Sequence, residues 1–130
     1  MRYRLRSLLV AVAIAVTATA MQAHHSVPGQ FDMSKPVTLK GVITKVDWIN
    51  PHIYVHLNVK EAAGTTTTWA LATLPTAMMR RAGLTRESLQ GKPGEEVTID
   101  ALPARDGSKH LGWINKITYA DGHSFAPVGQ

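Results

Sequence analysis

Cysteine is absent from the 130 residues, which excludes disulfides, thiolate-held metals, a catalytic thiol and a lipid-modified cysteine together. Stability has to come from burial. Positive charge is scarcer than the total suggests. Three of the fourteen basic residues, Arg2, Arg4 and Arg6, stand in the first six positions, and without them eleven face nine acidic residues. A net charge of +2 makes no extended cationic field of the kind that holds a phosphate backbone, so nucleic acid is not expected as a partner. Long hydrophobic runs are missing as well. The longest, Leu8 to Val16, has nine residues, where a membrane span needs about 20. Catalytic signatures are also lacking: there is no Gly-x-Ser-x-Gly elbow, no phosphate loop and no His-Glu-x-x-His. Glu95 and Glu96 are adjacent at the start of a strand and point to opposite faces, the wrong arrangement for acid and base work on one substrate.

The first 23 residues carry a pattern of their own. Arg2, Arg4 and Arg6 precede the apolar run, and small and polar residues follow to Ala23, which is the layout of a secretory signal. The expectation is export to the periplasm. Ala18 and Ala20 fit cleavage after Ala20, and Ala23 marks a second site three residues later. Residues 24 to 36, with Pro28, Gly29 and Pro36 and few apolar positions, are expected as an extended arm. Residues 37 to 130 remain for one domain.

From Val37 the period is two. Val37, Leu39, Gly41 and Ile43 alternate with Thr38, Lys40, Val42 and Thr44, predicting a strand to about Trp48 with a bulge or bend at Gly41. Asn50 and Pro51 make a turn. Ile53, Val55, Leu57 and Val59 then face one side of a second strand, with His52, Tyr54, His56 and Asn58 on the other. A third strand is expected over residues 65 to 73, then a short helix over 76 to 82 closed by Gly83, with Thr85 capping a further helical turn. Val97, Ile99 and Ala101 mark a fourth strand and residues 111 to 119 a fifth, before Asp121 and Gly122 turn the tail back. Three strands, a helix and two strands is the order of the OB-fold. The predicted class is therefore all-β with one short helix, a small five-stranded Greek-key barrel.

His24, His25 and Ser26, then Phe31 and Asp32, Val37 to Gly41, Asn50, Pro51 and His52, Trp69, and Pro103 to Gly107 together resemble a secreted bacterial family, domain of unknown function 6152. The resemblance covers nearly all of the chain beyond the leader. It implies export and a small β-rich domain, and it supplies no activity, ligand or catalytic residue. Sequences of this kind often carry an acidic residue soon after the tryptophan, where this chain has Ala70, Leu71, Ala72 and Thr73.

Two candidate sites follow from the residues. The first is a contact surface for an unknown protein or small-molecule ligand, made by His52, Tyr54 and His56 on the polar face of the second strand and by Arg105 and Asp106 on the loop between the last two strands. It rests on the ligand-binding habit of the second and third strands of OB-folds. The bland reading of the strand is a solvated sheet face, and that of the loop an ion pair stiffening a turn. His52 and His56 do not bind one ion together, because four strand residues at ~3.3 Å each put them ~13 Å apart. The second candidate is a copper or zinc site at His24 and His25. A chain beginning at His24 offers its α-amine and imidazole as a chelate, completed by His25 or a barrel histidine; a chain beginning at Met21 does not. The tryptophans are expected to pack at the core or rim. Arg80, Arg81 and Arg86 form a local basic patch, either a solvated helix face or a contact for phosphate or an acidic partner. The functional expectation is a non-catalytic periplasmic binding or accessory module without a cofactor, with copper or zinc binding as the alternative.

Overall fold

The structure, a computed structural model, describes residues 26–127. Its elements start where apolar alternation starts. After one helical turn, α1 (Val27–Gln30), come β1 (Val37–Asp47), β2 (Tyr54–Lys60) and β3 (Thr66–Ala72). Two short helices follow, α2 (Thr76–Arg81) and α3 (Arg86–Gln90), then β4 (Glu96–Pro103), β5 (Leu111–Thr118) and β6 (Ser124–Phe125). β1 pairs antiparallel with β2 and with β4, β2 with β3, and β4 with β5. Parallel pairing of Ala70, Leu71 and Ala72 with Leu111, Gly112 and Trp113 closes the sheet on itself. The five-stranded barrel has the strand order of an OB-fold, and β6 lies outside it against Ile117 and Thr118. α2 and α3 fall where the short helix and the further turn capped by Thr85 were expected, and α1 is the helical turn that was not.

The interior is the face that alternation selects. Ile53, Val55, Leu57, Leu71, Ile99, Ile114 and Ile117 are fully buried, and Met79 from α2 and Leu89 from α3 join the same cluster. Each such side chain contributes about 1.5–3 kcal/mol of transfer free energy. The helices are held by specific caps. Thr85 and Ser88 bond each other's backbone N–H at 3.2 and 2.8 Å, a reciprocal cap that starts α3. α2 follows Pro75, which offers no side-chain acceptor. Asn50 Oδ1, from the β1–β2 loop, takes the Thr76 N–H at 3.3 Å and the Thr76 hydroxyl at 3.0 Å instead. One side chain therefore ties that loop to the helix.

The irregularity in β1 is not at Gly41. Gly41 is paired with Val59 on one side and Val97 on the other, and its missing side chain makes room for a backbone: a Cβ there would lie 2.1 Å from the Asn58 carbonyl oxygen. The bulge comes three residues later, where the register moves from Ile43 opposite Leu57 to Lys45 opposite His56. One extra residue reverses which positions face inward. Buried positions run 39, 41 and 43 before the bulge and 46 after it, so Lys45 and Asp47 turn outward together.

Residues 26–36 are a docked strap, where an extended arm was expected. The Ser26 hydroxyl accepts from the Gly29 N–H and starts α1, and Phe31 is buried and bridges to Ala104. Asp32 N–H donates to the Pro103 carbonyl at 2.8 Å and Arg105 N–H to the Gln30 carbonyl at 2.9 Å. One large ring supplies the apolar area that the composition of the segment seemed to lack. Its partner is Trp113, at a ring-centroid distance of 5.8 Å. By alternation Trp113 and Ala72 lie on the outer face of the barrel, yet both are buried, and Phe31 packs on Trp113 there.

At the other end of the chain the Tyr119 hydroxyl donates to the Leu89 carbonyl at 2.7 Å, inside the core. Burial, and then the Glu95 carboxylate, push this phenol up to about 12. The ordinary phenol near 10 is thus raised, so Tyr119 adds stability that is complete below pH 10 and is lost as pH climbs toward 12. Tyr119→Phe should be less stable by about 1 kcal/mol at pH 8, for the lost hydrogen bond, and the gap should close between pH 10 and 12. Urea unfolding of both proteins across that range checks this; a gap that stays constant refutes it.

Candidate functional site

The β1 bulge builds the polar face of β2. Because Lys45 and Asp47 point outward, Asp47 lies opposite Tyr54 and Lys45 opposite His56. Asp47 Oδ2 then meets His56 Nε2 at 2.7 Å and Asp47 Oδ1 meets Lys45 Nζ at 2.7 Å. The Lys45 ammonium, and after it His56, hold the Asp47 carboxyl below its usual range. With a carboxylate as acceptor, Nε2 carries a proton and donates it to Asp47. Both His56 and Asp47 are about one-quarter exposed, so the pair is fixed and still reachable. Tyr54 is half-buried beside them, and its hydroxyl has no partner among the described residues.

His52 precedes β2 and is committed elsewhere. Its Nδ1 donates to the Thr73 carbonyl at 3.2 Å, and its ring stands edge-on to Trp113 at 5.6 Å. His52 was expected on the second strand beside His56 and instead lies before it; the two have separate partners, Thr73 and Asp47. Further along the same face Thr68 donates to Asn58 Oδ1 at 2.7 Å. Beyond it a groove of about 480 Å³ is lined by Lys40, Val42, Thr44, Asn58, Lys60 and Thr66 among others. Tyr54, His56, Asn58 and Lys60 thus form one row that runs from the Asp47 pair into the groove.

Arg105 does something the sequence did not show. Its Nε donates to the Pro28 carbonyl at 2.9 Å and the Phe31 carbonyl at 3.1 Å, so it clasps the strap. Asp106 accepts from the Ser108 N–H at 2.9 Å, which is the first reason its carboxyl lies below the usual value. No ion pair joins Arg105 to Asp106 among the described residues. The two line a cleft of about 350 Å³ with Gly29, Gln30, Phe31, Ala104 and Leu111. Among the described residues, the lining of this cleft shares no residue with the groove beyond Asn58. The candidate surface is therefore two separate recesses, one on β2 and one under the strap. Lys45 and Asp47 were missed from sequence; the signal available was that unbroken alternation would have pointed both charges into the core.

His24 and His25 lie outside the described residues. Within them no group of three histidine, aspartate or glutamate side chains is placed to hold a metal ion. His110 stands edge-on to Trp69 at 5.4 Å, and His123 stacks on Tyr119 and bonds Asp121.

The closed five-strand barrel, with a helical connection before β4, places the chain among small OB-like proteins. The chain belongs to the Family of unknown function (DUF6152), whose model matches residues 11–113, from the apolar run through the strap and barrel to Trp113. No curated protein and no solved structure matches it. No helix among the described residues is long and apolar enough to cross a membrane.

Proposed function

We propose that the chain is an exported periplasmic binding or accessory module, without catalytic chemistry, that takes an extended ligand along the outer face of β2. The observation that carries the reading is the half-buried row of Tyr54, His56 and Asn58, set by the β1 bulge and continuous with the groove at Lys40 and Lys60. A solvated sheet face has no need of a histidine locked on a carboxylate at 2.7 Å. Pre-set side chains lower the ordering cost of binding. The leader pattern of residues 1–23 supports export, and the near balance of charge beyond it supports a ligand other than nucleic acid.

The test is a titration of the isotope-labelled chain with two defined probes, a tetramer of N-acetylglucosamine and a short extended peptide, followed by amide shifts. Saturable shifts at His56, Asn58, Lys60 and Thr66 with either probe, lost in Tyr54→Ala and His56→Ala, are the expected result. Shifts with neither probe, or shifts confined to other faces, would remove this reading. Native mass spectrometry with copper(II) and zinc(II) separates the alternative: one ion retained through dialysis, and lost on replacing His24 and His25, would make the protein a metal binder instead.

A further inference from the structure

Most strand edges of the barrel are paired or blunted. β2 is paired on both sides, with β1 from Tyr54 to Val59 and with β3 from Tyr54 to Lys60. The stretch of β1 beyond its pairing with β4 carries the bulge and Lys45, and β4 ends where Pro103 accepts from the strap. On β5, Lys116 precedes the two residues that β6 covers. Bulges, lysines and covering segments are the devices that keep a sheet edge from pairing. The first half of β3, a run of threonines ending in Trp69, has none of them. β5 joins β3 only from Ala70 onward, where His110, with φ 57, turns the chain in and its carbonyl accepts from the Ala70 N–H at 2.8 Å. Thr66 to Trp69 therefore pair with β2 on one side and with no described strand on the other.

The ladder decides which groups are left over. Glu61 N–H donates to the Thr65 carbonyl at 2.8 Å and Thr73 N–H to the Ile53 carbonyl at 2.9 Å, so the odd-numbered residues of β3 bond β2 and the even-numbered ones point away from it. Ala70 accordingly bonds His110, whereas the N–H and C=O groups of Thr66 and Thr68 meet no main-chain partner among the described residues. The inner face is open at the same place. Thr67 and Trp69 share the side of β3 that carries Leu71, yet they are half-buried where Leu71 is fully buried. We propose that an extended segment of a partner protein adds antiparallel to this edge as a further strand, with apolar residues over Thr67 and Trp69 and polar ones beside Thr66 and Thr68. What the edge leaves unmet is main-chain donors and acceptors at strand spacing, and a polypeptide backbone supplies them. Cross-strand pairs of an aromatic with a β-branched side chain add to the ladder. A second copy of this chain would bring four residues a side through the same edge, against the roughly 20–30 a side of a stable interface. The acceptor is the main chain of β3 and not the side-chain row on β2, so the proposal goes beyond the ligand reading.

The experiment is amide hydrogen exchange of the isotope-labelled full chain with a short capped peptide that alternates valine and serine. Residues directly opposite in an antiparallel pair share a face, so the valines lie over Trp69 and the serine N–H groups bond Thr66 and Thr68. The Thr66 and Thr68 amides should then gain protection, which a ligand resting on the side chains of β2 does not give them; either reading can therefore fail alone. Each main-chain bond carries roughly fivefold in affinity, so N-methylation of two serines should weaken binding on the order of 20-fold and N-methylation of two valines far less. Thr68→Pro should weaken it roughly fivefold as well, by removing one N–H that β2 does not use. The methylated peptides test the same point on the unaltered protein. Equal binding of the two methylated peptides, or protection that misses Thr66 and Thr68, would overturn the proposal. So would a chain that sediments as a dimer with these two amides already protected, because a second copy then fills the edge.

Discussion

Gly41→Ala should destabilise the protein by about 3 kcal/mol or more, at the upper end of what overpacking costs. The added Cβ would sit 2.1 Å from the Asn58 oxygen and 2.8 Å from its carbonyl carbon. Both atoms are backbone, so no rotamer change can relieve the clash. β1 has no slack at this point, because Val59 and Val97 pair with Gly41 from either side, and any retreat would loosen two of the five staves of the barrel. Against a total stability of 5–15 kcal/mol typical of a domain, the loss is large enough to read directly from a urea midpoint. Gly64→Ala is the matched control. Gly64 has φ +82 and open space around it, so its cost is confined to left-handed backbone strain, about 1–2 kcal/mol. If the two variants unfold together, close approach is not what Gly41 is for.

The same glycine shows where sequence reading worked and where it stopped. Strand β2 was legible because Ile53, Val55, Leu57 and Val59 repeat with an unbroken period of two, and hydrophobic burial enforces that period on one face. The order of elements, and with it the barrel, followed from such runs. Gly41 was correctly singled out and wrongly explained. A glycine in a strand signals either a bulge or a close approach, and only the neighbouring chain decides which. The bulge itself, between Ile43 and Lys45, leaves little trace: Thr44 and Lys45 are polar, and a polar pair can sit at a bulge or at a strand end. The one trace is that unbroken alternation would have pointed Lys45 and Asp47 into the core; with that signal unused, Asp47 was not assigned to the outer face and the pair that fixes His56 was missed. Thr85 as a cap was legible because its partner, Ser88, is three residues away. Asn50 as a cap was not, since its helix begins 26 residues later.

Long-range contact also explains the strap and Arg105. Few apolar residues lie between positions 24 and 36, so local composition argued for an arm. What counts is the surface one side chain meets, and Phe31 meets Trp113 across more than eighty residues of sequence. Arg105 was picked out beside Asp106, and adjacency favoured an ion pair; its Nε instead reaches the carbonyls of Pro28 and Phe31. These main-chain acceptors carry no residue-specific signal at all.

Phe31→Ala should therefore behave as a core substitution, with a cost of about 3–5 kcal/mol, although it lies before the first barrel strand. Phe31 is 6% exposed and Trp113 5%, so truncating the ring opens a cavity against the tryptophan and removes the apolar contact that holds residues 26–36 down. The hydrogen bonds of the strap depend on that contact. Hydrogen exchange should show the Asp32 and Arg105 amides, which donate to Pro103 and Gln30, losing protection well before the amides of β2. Arg105→Gln should produce the same exchange pattern with a smaller loss of stability, because it removes two bonds from Nε while leaving Phe31 buried. An arm lying loosely on the surface predicts the opposite: a change within ~0.5 kcal/mol for Phe31→Ala and uniformly fast exchange in both proteins. That outcome would detach the strap from the domain and leave Trp113, with His52 against it, as an apolar patch in need of another cover.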